Sequence, residues 1–243
     1  MKIIKLSAID STNNYLKNLS KEKLVKDGCI VVARQQKKGR GQMNNTWQSQ
    51  EGKSLTFSMF KRFDCLKIEE QSAITFAVSL GVQLALKKMN IPAVRVKWPN
   101  DIMSYNKKIA GILIESNLQK DRIVASVIGI GVNVNETEFT NLPHASSIKL
   151  ENGNAFDLEE VLHCIAEAVL FQLQRIEKKE VDLLKNEYET VLFKKNNVSV
   201  FQKKTGNPFN GIIRGVSKSG ELLLENEDEQ LEKFELKEIK MLL

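Results

Sequence analysis

Three apolar, β-branched runs follow one another between Val94 and Val134 with no helical span between them: Val94 to Trp98, Lys108 to Glu115 and Ile123 to Val134. Strands joined this tightly pair antiparallel, because a parallel crossover needs about a dozen residues or more of connection. This one feature points away from a doubly wound fold. Two earlier runs, Cys29 to Ala33 and Leu55 to Phe60, extend the same pattern. Two amphipathic helices are set among the strands. In the first, Ile74, Ala77, Val78, Gly81, Leu84 and Ala85 recur at helical spacing up to Asn90, and Pro92 ends the pattern. In the second, Leu158 to Leu173 forms one apolar face, opened by Asp157 as N-cap with Glu160 three residues on. The prediction is an α+β layer: a mixed, largely antiparallel sheet backed by helices.

Past the helical stretch that ends near Phe193 the pattern shortens to Val198–Gln202, Phe209–Val216, Glu221–Leu224 and Leu231–Phe234. Turns at Thr205-Gly206-Asn207-Pro208 and Lys218-Ser219-Gly220 separate them. Such short strands make a small barrel, so two domains are expected, residues 1–193 and 194–243. At 42% hydrophobic residues the chain can fill one large core and a small second one.

The formal charge of +6 fits a polyanionic ligand, an acidic partner or nucleic acid, but the Lys and Arg residues form no block, which weighs against the last. The start, MKIIKLSAIDSTNN, lacks the apolar core of a signal peptide, and nowhere do about 18 apolar residues run together. A cytoplasmic protein without membrane contact is expected. Cys29, Cys65 and Cys164 are odd in number and far apart, so they read as buried thiols rather than disulfides or zinc ligands. With only His144 and His163, and no nucleophile elbow, hydrolase chemistry is unsupported.

Three segments can carry chemistry. In Gln36-Lys37-Lys38-Gly39-Arg40-Gly41-Gln42-Met43-Asn44-Asn45-Thr46-Trp47, two glycines around an arginine let backbone N–H groups and a guanidinium converge on a phosphate; a solvated basic turn fits the same residues. In Lys97-Trp98-Pro99-Asn100-Asp101, a loop then leads to Lys108, which would lie along the sheet with its ammonium near Asp101. There the plainer alternative is a core Trp98 followed by a turn. Gly129-Ile130-Gly131-Val132-Asn133 ends an apolar strand and suits the floor of a pocket. It is no dinucleotide fingerprint, since Val134 stands where a third glycine is required. Gly52-Lys53-Ser54 is no P-loop, since Trp47 stands where the first glycine belongs.

In this order, Ser11-Thr12-Asn13, Gln36-x-x-Gly39-Arg40-Gly41, Trp47, Lys97-Trp98-Pro99-Asn100-Asp101, Lys108-Ile109-Ala110-Gly111-Ile112 and Gly129-Ile130-Gly131-x-Asn133 resemble the biotin protein ligases over nearly the whole chain. The resemblance implies a catalytic domain like that of class II aminoacyl-tRNA synthetases with an SH3-like barrel after it. It also implies activation of biotin by ATP, aided by Mg2+, and transfer from biotinyl-5′-AMP to a lysine of a biotin carboxyl carrier protein or domain. Carried over, Ser11, Thr12, Asn13, Gln36, Arg40, Gly41, Gln42, Lys108 and Gly111 would meet biotin. Arg40, Trp47, Asn100, Lys108, Gly131 and Asn133 would meet ATP or the adenylate. Lys108 would bridge the biotin carboxylate and the phosphate, Asp101 would orient it, and Arg40 would belong to the loop that folds over both. The metal ligands are not indicated, and a homodimer is left open. Two departures stand out. Gln42 occupies a position often held by a second arginine, which bears on how firmly the adenylate is kept. Ser11 lies too near the start for a preceding winged helix, so no DNA partner and no repressor role are expected. Lipoate ligases and octanoyltransferases share the fold, but their Arg-rich, triple-glycine segment is absent.

Overall fold

The computed structural model describes residues 1–22, 25–42 and 45–243. The chain opens with strand β1 (Ile3–Ile9) and helix α1 (Thr12–Glu22), then β2 (Ile30–Gln36), β3 (Ser54–Lys67) and helix α2 (Ser72–Lys88). Four strands follow, β4 (Val94–Lys97), β5 (Asp101–Ser104), β6 (Lys107–Gln119) and β7 (Arg122–Asn133). Helices α3 (Ile148–Asn152), α4 (Leu158–Glu177) and α5 (Val181–Thr190) lead to β8 (Val198–Lys203), β9 (Phe209–Val216), β10 (Leu222–Glu225), β11 (Leu231–Phe234) and β12 (Ile239–Leu242).

The large sheet runs β1-β2-β3-β7-β6-β5-β4 and is antiparallel except where β1 pairs with β2. It is the mixed sheet that the spacing predicts, and the smaller sheet, β11-β10-β9-β8-β12, is antiparallel throughout. Asp157 caps α4 by accepting from the Glu159 and Glu160 backbone N–H groups, as its position implied.

Three expectations need correction. The stretch after Asn100 is not a plain loop, because Asp101–Ser104 forms β5 and turns directly into β6. β1 and α1 were not foreseen. And Cys65 is exposed, because it lies on the solvent side of β3, while Cys29 is buried and Cys164 half-buried.

Alternation along β7 sets what each face of the large sheet holds. Ile128, Ile130 and Val132 point into the main core beneath α2 and α4, whereas Ala125 and Val127 pack with Leu16 of α1 on the opposite face. Gly129 and Gly131 continue that second face beyond the start of α1, beside Gly111 and Leu113 of β6. There the sheet is left uncovered by helix, and the cavity forms.

Candidate active site

A cavity of about 680 Å³ opens over this bare part of the sheet. Its floor is main chain. A Cβ built on Gly131 would lie 2.5 Å from Trp47 Cε2, one on Gly111 would lie 3.0 Å from Trp47 Cζ3, and one on Gly129 would collide with the Asn13 amide. Only glycine lets those groups reach the sheet.

One wall is the start of α1. Ser11, Thr12 and Asn13 are buried, and the Thr12 N–H and Oγ1 donate to Gln36 Oε1 at 2.8 and 3.1 Å. Ser58 Oγ lies 2.7 Å from Thr12 Oγ1 and 2.5 Å from Asn13 Oδ1, which fixes both side chains from below. With its oxygen so engaged, Gln36 keeps its amide nitrogen for a ligand's carbonyl.

Another wall is made by the β4–β5 hairpin with the start of β6. Lys108 Nζ stands 2.5 Å from Asp101 Oδ1 and 5.6 Å from the centre of the Trp47 ring. The held ammonium read from the sequence is therefore present. Asn100 donates from Nδ2 to the Ile112 carbonyl at 2.7 Å and lines the cavity. Trp47 covers the floor, and its indole N–H is buried without a partner among the described residues. Gly41 and Gln42 line the loop side, where Gly41 N–H donates to Asn45 O. Met43 and Asn44 of that loop lie outside the described residues.

Two of the predicted site residues stand apart. Asn133 is buried, donates to Ser146 O at 2.9 Å and does not line the cavity; it ties β7 to the segment before α3. Arg40 lines the rim, but its guanidinium is bound to Asn14 Oδ1 at 2.6 Å and to Glu115, not to the Lys108–Asp101 pair.

The sequence reading missed the cations that the small sheet adds. Lys203, Lys204, Lys237 and Lys240 line the cavity with Lys97, Lys108 and Arg40, and Asp101 is the one carboxylate among the lining residues. Burial, with the nearby charges of Lys108 and Lys240, pushes the Lys97 ammonium below the usual lysine range, and Asp101 acts the other way. Such a surplus of positive charge, with Lys97 the poorly solvated member, suits a polyanion. Lys97 opens the legible Lys97–Asp101 motif, but Lys203, Lys204, Lys237 and Lys240 reach the cavity only through a topology that brings the small sheet against the large one.

Among the described residues no group of three His, Cys, Asp or Glu side chains could hold a metal, and no helix is long and apolar enough to cross a membrane.

Residues 6–133 match the model of the biotin/lipoate A/B protein ligase family. The chain is 38% identical over 131 residues to the bifunctional ligase/repressor of Escherichia coli, covering 53% of this chain and 39% of that one. It spans less than half the length of the bifunctional relatives it matches. With the biotin--[acetyl-CoA-carboxylase] ligase of Paracoccus denitrificans it shares 28% identity over 90% of its own length and 92% of the relative's. The biotin protein ligase of Aquifex aeolicus, solved in complex with biotin and ATP, superposes with a TM-score of 0.80 at 28% identity, covering 99% and 98% of the two chains.

Proposed function

Because the chain belongs to the biotin/lipoate A/B protein ligase family, we propose that it activates biotin with ATP in this cavity and passes it to a lysine of a biotin carboxyl carrier protein or domain. In the first step a biotin carboxylate oxygen attacks the α-phosphorus of ATP and pyrophosphate leaves. In the second, the neutral amine of the acceptor lysine attacks the acyl carbon of biotinyl-5′-AMP and AMP leaves.

The observation that carries this reading is the held ammonium of Lys108 in a glycine-floored cavity lined by seven cationic side chains, six lysines and Arg40, against one carboxylate. The first step brings a carboxylate and a triphosphate together, and fixed cations stabilise the charge that gathers where they meet. Lys108 serves the reacting oxygens, while Lys97 and Lys240 suit the departing pyrophosphate. Thr12 and Gln36 offer paired polar groups to the ureido ring. Trp47 offers adenine a flat face. Neither step needs an enzyme nucleophile.

A dedicated magnesium cage does not fit these residues, since Asp101 is the one lining carboxylate and Lys108 engages it. A hard cation arriving with ATP would take its oxygens from the phosphates and from water.

The test is exchange of labelled pyrophosphate into ATP, dependent on biotin and repeated with lipoate. Exchange with biotin alone is expected. Exchange with lipoate alone, or with neither, would reject the reading.

A further inference from the structure

Glu115, on β6, points to the same sheet face as Gly111 and Leu113 but lies beyond the cavity lining. Its carboxylate gathers two segments, α1 and the Arg40 loop, onto β6. Oε2 accepts from Asn13 Nδ2 at 3.0 Å, Oε1 lies 3.2 Å from Lys17 Nζ, and the two Arg40 terminal nitrogens lie 3.3 and 3.4 Å from Oε1 and Oε2. Asn14 holds the same guanidinium from the other side. Burial alone would raise the Glu115 carboxyl, but the hydrogen bonds from Asn13 and Lys17 and the charges of Arg40 and Lys17 outweigh it and keep it below the usual carboxylate range.

We infer that Glu115 is the positioning residue of the Arg40 loop: it holds Arg40 at the cavity rim and fastens the loop to the start of α1, so that one carboxylate orders that wall and the rim beside it. The half of this that concerns ligands rests on the function proposed above. A loop already tethered loses less entropy on binding, so the effect belongs in KM more than in kcat.

The experiment separates the two halves. The full-length chain, free of ligand, is digested with trypsin, and cleavage after Arg40 is timed against cleavage after Lys218, which is 82% exposed. Glu115→Gln and Asn14→Ala should each speed cleavage after Arg40 about fivefold relative to the reference. Asn14 is exposed, so its variant folds even if Glu115→Gln does not. An unchanged ratio overturns the inference whatever the chain binds. With substrates, Glu115→Gln should raise KM for biotin about fivefold with kcat within about twofold. In an Arg40→Gln background it should add nothing, and equal effects in both backgrounds would make Glu115 merely structural. If biotin-dependent pyrophosphate exchange is absent in the unsubstituted chain, the ligase reading falls, and the cleavage ratio alone judges the tether.

Discussion

Lys108 combines a half-buried stem, a carboxylate partner and a place at the cavity wall. Replacing it with alanine removes the charge aimed at the reacting oxygens, so biotin-dependent exchange should fall by at least about a hundredfold. The pair is partly solvated, so the unfolding midpoint should barely move; the expected stability change is under about 1 kcal/mol. Circular dichroism melts and exchange rates on one preparation check both. Glu115 makes a different statement. Its carboxyl is depressed by its partners in the folded state, so its contribution is complete above the unfolded value near pH 4.3 and is lost as pH falls through the lower folded value. As the pH is taken down through the acid range the melting temperature should therefore fall less steeply in Glu115→Gln than in the unsubstituted chain. Lys108 and Asp101 were legible because each sits at the end of a short motif, and their residue types ask for each other. Glu115 was not, because its partners lie 75 to 102 positions away and nothing local marks a glutamate on a strand.

The elements that were legible are those whose burial is apolar and periodic: α2, α4 and β7 announce themselves through Val, Ile, Leu and Ala facing one core. α1 was not, because its buried face includes Thr12 and Asn13, polar residues turned toward the cavity rather than the core. β1 is a half-exposed edge strand, and β5 is four residues long, too short for a period to register. The junction of α5 with the small sheet was equally hidden. There Glu189 receives Lys185, Lys195 and the Val216 N–H, at 2.7, 3.0 and 3.1 Å. Burial opposes its ionisation, but these three donors keep its carboxyl below the usual range. Gly215 lets the backbone of β9 descend onto it, since a Cβ there would sit 2.7 Å from Oε1. Glu189→Ala strands two lysines and a backbone donor, at a cost of about 1–3 kcal/mol. A loss of that size should lower the melting temperature by roughly 2–12 °C. A scanning calorimeter that finds no shift would show the junction to be incidental.

For the whole molecule the division at 193/194 is a proposal about architecture rather than about folding. Phe201, Ile213, Val216, Leu222, Leu224, Phe234 and Ile239 of the small sheet belong to the same buried cluster as Val96, Leu184 and Leu192. Trp98 Nε1 donates to Gly220 O at 2.9 Å, and Ser72 Oγ to Lys218 O at 2.5 Å. With one core through both sheets, unfolding should be a single cooperative transition, detected alike by far-ultraviolet dichroism and tryptophan fluorescence. Two resolved transitions would contradict the shared core. The glycine floor has a consequence of another kind. A strand whose neighbouring positions answer to opposite constraints should carry a two-residue rhythm in what it tolerates. In a library of single substitutions scored for activity, Gly129 and Gly131 should accept no side chain, because Asn13 and Trp47 already occupy the space. Ile128, Ile130 and Val132 should exchange among aliphatic residues for less than about 1.5 kcal/mol. The depth of the cavity is then set by how closely Asn13 and Trp47 settle onto bare backbone, and any side chain at a floor glycine can only push them off it.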